Sequence, residues 1–191
     1  YIKDLLPDGS CRMCMVEIES RGRTKMETAC TAQVSEGLVV TTNSEKVRNA
    51  RRNILDMLLS NHKTDCFSCP SNGDCKLQEL CFEYGIERTT YSGEQTELPI
   101  DDSNKFFTYN PNLCILCHRC VNTCHKVVGR GAIDTMERGF DSAIGTPFHI
   151  DWADTNCESC GNCVQACPTG ALTMKRRKNY RKYQIDKKVL T

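Results

Sequence analysis

Cysteine carries the chemistry of this sequence. Fifteen of its 191 residues are Cys, and most stand two or three residues from the next. Neighbours that close cannot all pair with one another as disulfides, but they suit a shared metal centre. The strongest pattern is a repeat: Cys114-x2-Cys117-x2-Cys120-x3-Cys124 returns as Cys157-x2-Cys160-x2-Cys163-x3-Cys167-Pro168. This is the spacing that holds cubic [4Fe–4S] clusters: three close thiolates wrap one face of a cube, and the fourth points away to the other cube. By that crossed pattern Cys114, Cys117, Cys120 and Cys167 bind one cluster. Cys124, Cys157, Cys160 and Cys163 bind a second. Zinc is the competing ion, but it takes four ligands and favours separated Cys-x2-Cys pairs. The one departure from the run is His125, which follows Cys124 where the second half has Pro168.

A second constellation is His62-x3-Cys66-x2-Cys69-x5-Cys75. Three thiolates leave one iron of a [4Fe–4S] cluster without a ligand, and His62 stands where the fourth is needed. A neutral imidazole in place of a thiolate makes the cluster one charge less negative, which raises its potential, as in Rieske centres. The plainer reading is that His62 only complements a helix C-terminus. A third constellation is Gly9-Ser10-Cys11-Arg12-Met13-Cys14, followed by Cys30. Cys11 and Cys14 suit one iron of a [2Fe–2S] cluster and Cys30 the other, one ligand short of four. From spacing alone, zinc or free thiols remain open here. These sets use fourteen cysteines and leave Cys81, read as a buried structural thiol. His118, His125 and His149 have no metal-ligand spacing. No Ser/His/Asp triad, phosphate-binding loop or dinucleotide fingerprint is present.

The elements that position these residues are short. Met15 to Glu19 alternates apolar and acidic positions as a half-buried strand does, Ser20 to Arg23 reads as a turn, and Leu38 to Thr42 is a second β-rich run. Thr42 and Glu45 have capping-box spacing ahead of a helix whose apolar positions are Val47, Ala50, Ile54, Met57 and Leu58. A shorter helix runs from about Lys76 to Tyr84 and stops at Gly85, with Leu77, Leu80, Cys81 and Tyr84 on its apolar face. Residues 88–104 are polar, with Gly and Pro, and read as a connector. No apolar run approaches the roughly 18 residues that span a bilayer. Net charge is +1, but the last seventeen residues hold eight basic against one acidic. The remainder is therefore acidic, which argues against nucleic-acid binding. An odd cysteine count in a chain this long is unlike a secreted disulfide scaffold, and so many ligand thiols imply a reducing, cytoplasmic setting.

The order of motifs is more specific than any one of them. Gly-Ser-Cys-Arg-Met-Cys, Thr-Ala-Cys-Thr, Ser-Asn-His-x3-Cys-x2-Cys-x5-Cys and the two cube-binding runs together resemble one iron–sulfur module. It is the N-terminal region of formate dehydrogenase catalytic (alpha) subunits, of [FeFe] hydrogenases, and of the cluster-rich subunits of respiratory complex I and NAD-reducing hydrogenases. The resemblance covers residues 1–174. It implies an α+β chain with 1–43 as part of a truncated β-grasp, [2Fe–2S] ferredoxin-like domain and 44–87 as a small helical His/Cys3 [4Fe–4S] domain. Then come 88–104 as connector, 105–174 as a bacterial-type two-[4Fe–4S] ferredoxin-like domain, and 175–191 as a basic linker toward a further catalytic domain. In the family the first [2Fe–2S] ligand lies ten residues before the Cys-Arg-x-Cys pair, a place that falls immediately before Tyr1. The longer Cys14 to Cys30 gap reads as a hairpin insertion around Ser20 to Lys25.

Within the family, Arg138-Gly139-Phe140-Asp141 and Thr146-Pro147-Phe148 resemble both formate dehydrogenases and hydrogenases. Lys187-Lys188-Val189-Leu190-Thr191 resembles the approach to a molybdopterin domain. The expectation is therefore a relay of three [4Fe–4S] clusters and one [2Fe–2S] cluster that does no bond chemistry itself. It would carry electrons between a molybdenum- or tungsten-pterin formate dehydrogenase centre and a flavin/NAD subunit or ferredoxin. The alternatives are an [FeFe] hydrogenase parent, a complex I-like diaphorase subunit and, remotely, a zinc-scaffolded binding module with a basic docking tail.

Overall fold

The computed structural model describes Leu5 and residues 7–175. The basic tail beyond Lys175, with the Lys187–Thr191 resemblance, lies outside the described residues. The chain is a mixture of small sheets and short helices. Strands β1 (Met15–Ser20), β2 (Arg23–Thr28) and β3 (Val39–Thr41) form an antiparallel sheet in the order β2-β1-β3. Val16 and Ile18 on β1 are its buried positions. The turn between β1 and β2 places Arg21 and Gly22 at positive φ, which suits a two-residue hairpin turn that follows the twist of its strands.

Helix α1 spans Glu45–Ser60 and α2 spans Lys76–Glu83. The cap of α1 is Ser44, not Thr42: its hydroxyl accepts from the Val47 amide at 3.2 Å. Ser44 is the residue with extended backbone immediately before the first helical turn, which is where a cap must stand. The inward face also differs from expectation. Val47, Leu55 and Leu59 are buried, whereas Met57 is 58% exposed. Arg51 completes the same i, i+4 row, and its guanidinium donates to the Met15 carbonyl at 3.0 and 2.8 Å and to the Tyr84 hydroxyl at 3.2 Å. A charged residue on the inward row masks the helical period. Leu55 and Leu59 pack with Leu77 and Ile86 in a small core against which Cys75 and Cys81 also lie.

The remaining unit is built on two pairs of strands. Strand β4 (Phe107–Tyr109) pairs antiparallel with β7 (Leu172–Met174), and β5 (Asp134–Met136) with β6 (Ala143–Gly145). Two short helices, α3 (Arg119–Asn122) and α4 (Asn162–Ala166), each carry the third cysteine of a run, Cys120 and Cys163. Phe107, Tyr109, Leu113, Val121, Ile133, Ile144, Trp152 and Leu172 form the core, with the buried Cys120 and Cys163 among them. Residues 88–104 hold no helix or strand, but they are strapped down. The Thr89 hydroxyl and Thr90 amide donate to Asp56 Oδ1 at 2.7 and 2.8 Å, and the Thr96 amide donates to Asn61 Oδ1 at 2.9 Å. Leu98 exchanges two hydrogen bonds with the Asn112 side chain.

Candidate metal centres

The two cysteine runs of the repeat adopt one shape. Leu116 and His118 in the first run have φ of 50° and 58°, and Ser159 and Gly161 in the second have 55° and 77°. These left-handed residues curl each run so that its three thiols face inward. The Leu116 amide donates to Cys114 Sγ and the Ser159 amide to Cys157 Sγ, both at 3.4 Å. Cys120 is buried, and its neighbours are the thiols of Cys114, Cys117 and Cys167, with Cys163 beyond. Cys163 is surrounded by Cys157, Cys160 and Cys124. The chain thus brings together the two crossed sets read from the repeat. Burial first, and the neighbouring thiols second, push Cys163 up to about 12. Cys114 and Cys117, also raised mainly by burial, stand at about 12 and about 11. Thiols held that high are protonated at neutral pH, and a bound metal reverses this by claiming the thiolate outright.

Around the first set, Tyr109 lies beside Cys114, its hydroxyl bonded to the Ile144 carbonyl at 2.5 Å. Trp152 lines the apolar cleft of the second set with Phe107, and its ring lies 5.0 Å from Phe107 and 5.5 Å from Tyr109. The Ala132 amide donates to Cys124 Sγ at 3.3 Å, and the Asn162 side chain donates to Cys160 Sγ at 3.4 Å.

His62 follows the last turn of α1 and is 8% exposed. Its Nδ1 is the buried side-chain nitrogen or oxygen that lacks a hydrogen-bond partner among the described residues. Burial lowers its pKa and keeps the ring neutral, the form that ligates a metal. An orphaned buried imidazole nitrogen is costly unless something binds it, so the donor set fits an iron–sulfur cluster. Cys66 has Cys69 and Cys75 as neighbours, and burial, then those thiols, raise it. Cys81 is only half-buried; burial, with Cys75 and Cys66 nearby, brings it to about 11. This site abuts the second cysteine run. The Lys76 amide donates to the Pro168 carbonyl at 2.9 Å, and a side chain on Gly170 would begin 2.7 Å from Cys69 Sγ.

The β1–β2 hairpin brings the third set together. Its register pairs Met15 with Thr28, so Cys14 and Cys30 flank the same rung, and the Cys30 amide donates to Cys14 Sγ at 3.4 Å. Burial, then Cys14 and Cys11, raise the Cys30 thiol. Cys11, Cys14 and Cys30 border a cavity of about 260 Å³ whose far wall includes Cys117, Arg119 and Asn122. Among the described residues no three His, Cys, Asp or Glu side chains are gathered tightly enough to hold a single metal ion. A cube is bound at its four corners and holds its ligands further apart than a tetrahedral zinc does.

Three family profiles match in order along the chain. Residues 3–45 match a 2Fe-2S iron-sulfur cluster binding domain, residues 51–90 the NADH-ubiquinone oxidoreductase-G iron-sulfur binding region, and residues 105–173 the NADH-quinone oxidoreductase subunit 3 ferredoxin-like domain. A crystal structure of an NAD+-reducing [NiFe]-hydrogenase in the H2-reduced state superposes with a TM-score of 0.82 at 30% identity. The match covers 92% of this chain and 73% of that one. The chain belongs to the NADH-quinone oxidoreductase G and NAD(P)-reducing hydrogenase family of iron–sulfur subunits. Other members include the NADP-reducing hydrogenase subunit HndD of Solidesulfovibrio fructosivorans, 40% identical over 85% of this chain and 28% of that protein. The NADPH-Fe(3+) oxidoreductase subunit alpha of Geobacter sulfurreducens is 41% identical over 92% of this chain and 20% of that protein. This family member therefore spans between a fifth and a third of the length of those two relatives. Its [2Fe–2S] and [4Fe–4S] binding regions make it an iron–sulfur electron-relay region.

Several residues of these sites were not legible as functional. Gly170, Tyr109 and Trp152 carry no ligand chemistry, and only their tertiary neighbours give them a role. His118, which lacks metal spacing, bonds instead to Ser10 and Asp8. His125 Nε2 donates to the Ile133 carbonyl at 2.9 Å, and His149 pairs with Glu137 at 3.0 Å. No helix among the described residues is long and apolar enough to cross a membrane.

Proposed function

We propose that this chain holds four clusters and carries electrons between a catalytic centre and a flavin/NAD(P) subunit of a larger oxidoreductase. Cys11, Cys14 and Cys30, with one further donor, hold a [2Fe–2S] cluster. His62, Cys66, Cys69 and Cys75 hold the first [4Fe–4S] cluster, Cys114, Cys117, Cys120 and Cys167 the second, and Cys124, Cys157, Cys160 and Cys163 the third. When bound, each cluster takes up and gives back single electrons. The protein spaces the sites, buries them, and tunes them through the amides that point at Cys14, Cys114, Cys124 and Cys157.

One observation carries the reading: every site adjoins the Cys114 set. Cys11 lies near Cys117, Cys69 packs on the core that contains Cys120, and Cys163 lies near Cys120. The test is iron and acid-labile sulfide per chain in the full-length native complex, with EPR of the reduced state. Four distinct reduced signals support the relay. Tightly held zinc without iron overturns it.

Two parents remain to be separated. The activities named for the relatives favour a hydrogenase or NAD(P)H oxidoreductase. The Lys187–Thr191 stretch favours a formate dehydrogenase with a molybdenum- or tungsten-pterin centre. About one molybdenum or tungsten per subunit, with formate-dependent reduction of the clusters, decides for the second. Hydrogen-dependent reduction with neither metal decides for the first.

A further inference from the structure

The internal repeat supplies its own control. At the position between its second and third cysteines, the second run has Gly161 and the first has His118. Both residues are left-handed, both precede a short helix, and His118 has φ 58° and ψ 7° where Gly161 has φ 77° and ψ 0°. Glycine adopts this conformation without penalty, and a side chain with a β-carbon does not. Curling the run around a cluster therefore needs no histidine. Something other than the curl must hold the imidazole there, and strain at a site is a reason to look for what the side chain does.

The His118 ring is held on both edges. Nδ1 lies 3.1 Å from Ser10 Oγ and 3.2 Å from Asp8 Oδ2, and Nε2 lies 3.3 Å from Thr135 Oγ1. A carboxylate accepts only, so the Nδ1 proton faces Asp8 and Ser10, and the Thr135 hydroxyl donates to Nε2. Asp8 is itself fixed: its Oδ1 accepts from the Ser10 amide at 3.2 Å and its Oδ2 from the Asn122 side chain at 3.2 Å. Ser10 immediately precedes Cys11, and His118 immediately follows Cys117. The network therefore ties the loop entering the Cys11 site to the run that wraps the Cys114 set, across the cavity both sites border. Gly161, at the equivalent place, has no side chain and ties its run to nothing.

We propose that His118, with Asp8 as its anchor, is a positioning residue that fixes the separation of the [2Fe–2S] site from the neighbouring [4Fe–4S] site and so sets electron transfer between them. The proposal rests on the ligand assignment above. It adds that the contact between these two sites is made by a side-chain clamp and not by the general packing of the fold. Electron exchange falls steeply with separation, and so does the magnetic interaction between two reduced clusters.

The experiment uses the anaerobically purified full-length enzyme as wild type, His118→Gly, His118→Gln and Asp8→Ala. Iron per chain and pulsed EPR of the fully reduced protein are the readouts. His118→Gly copies the repeat's other half, so the cubes are expected to remain loaded. The expected result is full iron content with the relaxation enhancement of the [2Fe–2S] signal lost in His118→Gly and Asp8→Ala, and partly restored in His118→Gln. Unchanged relaxation enhancement in both variants overturns the clamp. Loss of cube iron in His118→Gly, with Asp8→Ala like wild type, also overturns it and assigns His118 to its own run alone. Wild type without a [2Fe–2S] signal would instead defeat the ligand assignment, so the two failures are told apart.

Discussion

At the scale of single residues, the His62 site carries the sharpest expectations. A neutral imidazole leaves its cluster one charge less negative than four thiolates would. His62→Cys should therefore keep the cluster and lower its midpoint potential, as read by EPR-monitored redox titration. His62→Ala should lower the iron at that site, because it removes the imidazole and leaves the half-buried Cys81 thiol, near Cys75 and Cys66, as the one further thiol there among the described residues. Gly170 is the complementary case. A Cβ there would begin 2.7 Å from Cys69 Sγ and 3.3 Å from Leu113 Cδ1. Gly170→Val is expected to displace the Cys66–Cys69 turn and to weaken the EPR signal of the His62 cluster, while the signals of the two crossed sets persist. His62 was visible as a candidate ligand in its spacing to three cysteines. Gly170 was not, because its importance is a distance to a residue a hundred positions away.

At the scale of elements, α1 carries the link between the hairpin and the His62 site. Its cap hydroxyl on Ser44 accepts from Val47, and Ser44 in turn donates to Glu17 Oε2 on β1 at 3.0 Å. Ser44→Ala should cost about 1 kcal/mol of stability, read by chemical denaturation. Leu55 is fully buried, and Leu55→Ala should cost about 2 to 5 kcal/mol in the same assay. The existence of α1 was legible from its period, but its inward face was not, because Arg51 occupies an inward position and satisfies its charge with the Met15 carbonyl. Strand β2, Arg23-Thr-Lys-Met-Glu-Thr28, was legible only as one arm of an inserted hairpin. Its burial is slight, and it forms because β1 supplies a full antiparallel ladder. The polar stretch 88–104 read as a loose connector for the same reason. Its order comes from Asp56, Asn61 and Asn112, three polar anchors outside it.

At the scale of the whole molecule, iron and fold are coupled. Burial holds Cys114 and Cys163 near 12 and Cys117 near 11. Because these folded values exceed the ordinary 9.0, the metal-free fold keeps that contribution below pH 9 and loses it as pH rises toward 11 or 12. Iron binding runs the other way, since it must displace those protons, and loading should weaken as pH falls from 8 to about 6. Absorbance of the iron–sulfur chromophore during reconstitution at stepped pH checks this. Trp152 is the sole tryptophan, and it lines the cleft of the Cys157 set. Its fluorescence should be quenched in the loaded protein and recover when a chelator strips the iron.

Local covalent order was sufficient for one level of this protein. Ligands of a cube come mostly from one short segment, so Cys-x2-Cys-x2-Cys-x3-Cys, written twice, names its own chemistry, and the ordered motifs name the family. The arrangement of the sites is another matter. Cys11 lies near Cys117, Cys69 packs on Gly170, and Asp8 reaches His118, 110 positions further along the chain. Such contacts arise when separate small cores pack together and bury their shared surface. No spacing rule within a segment encodes which segments will then be neighbours.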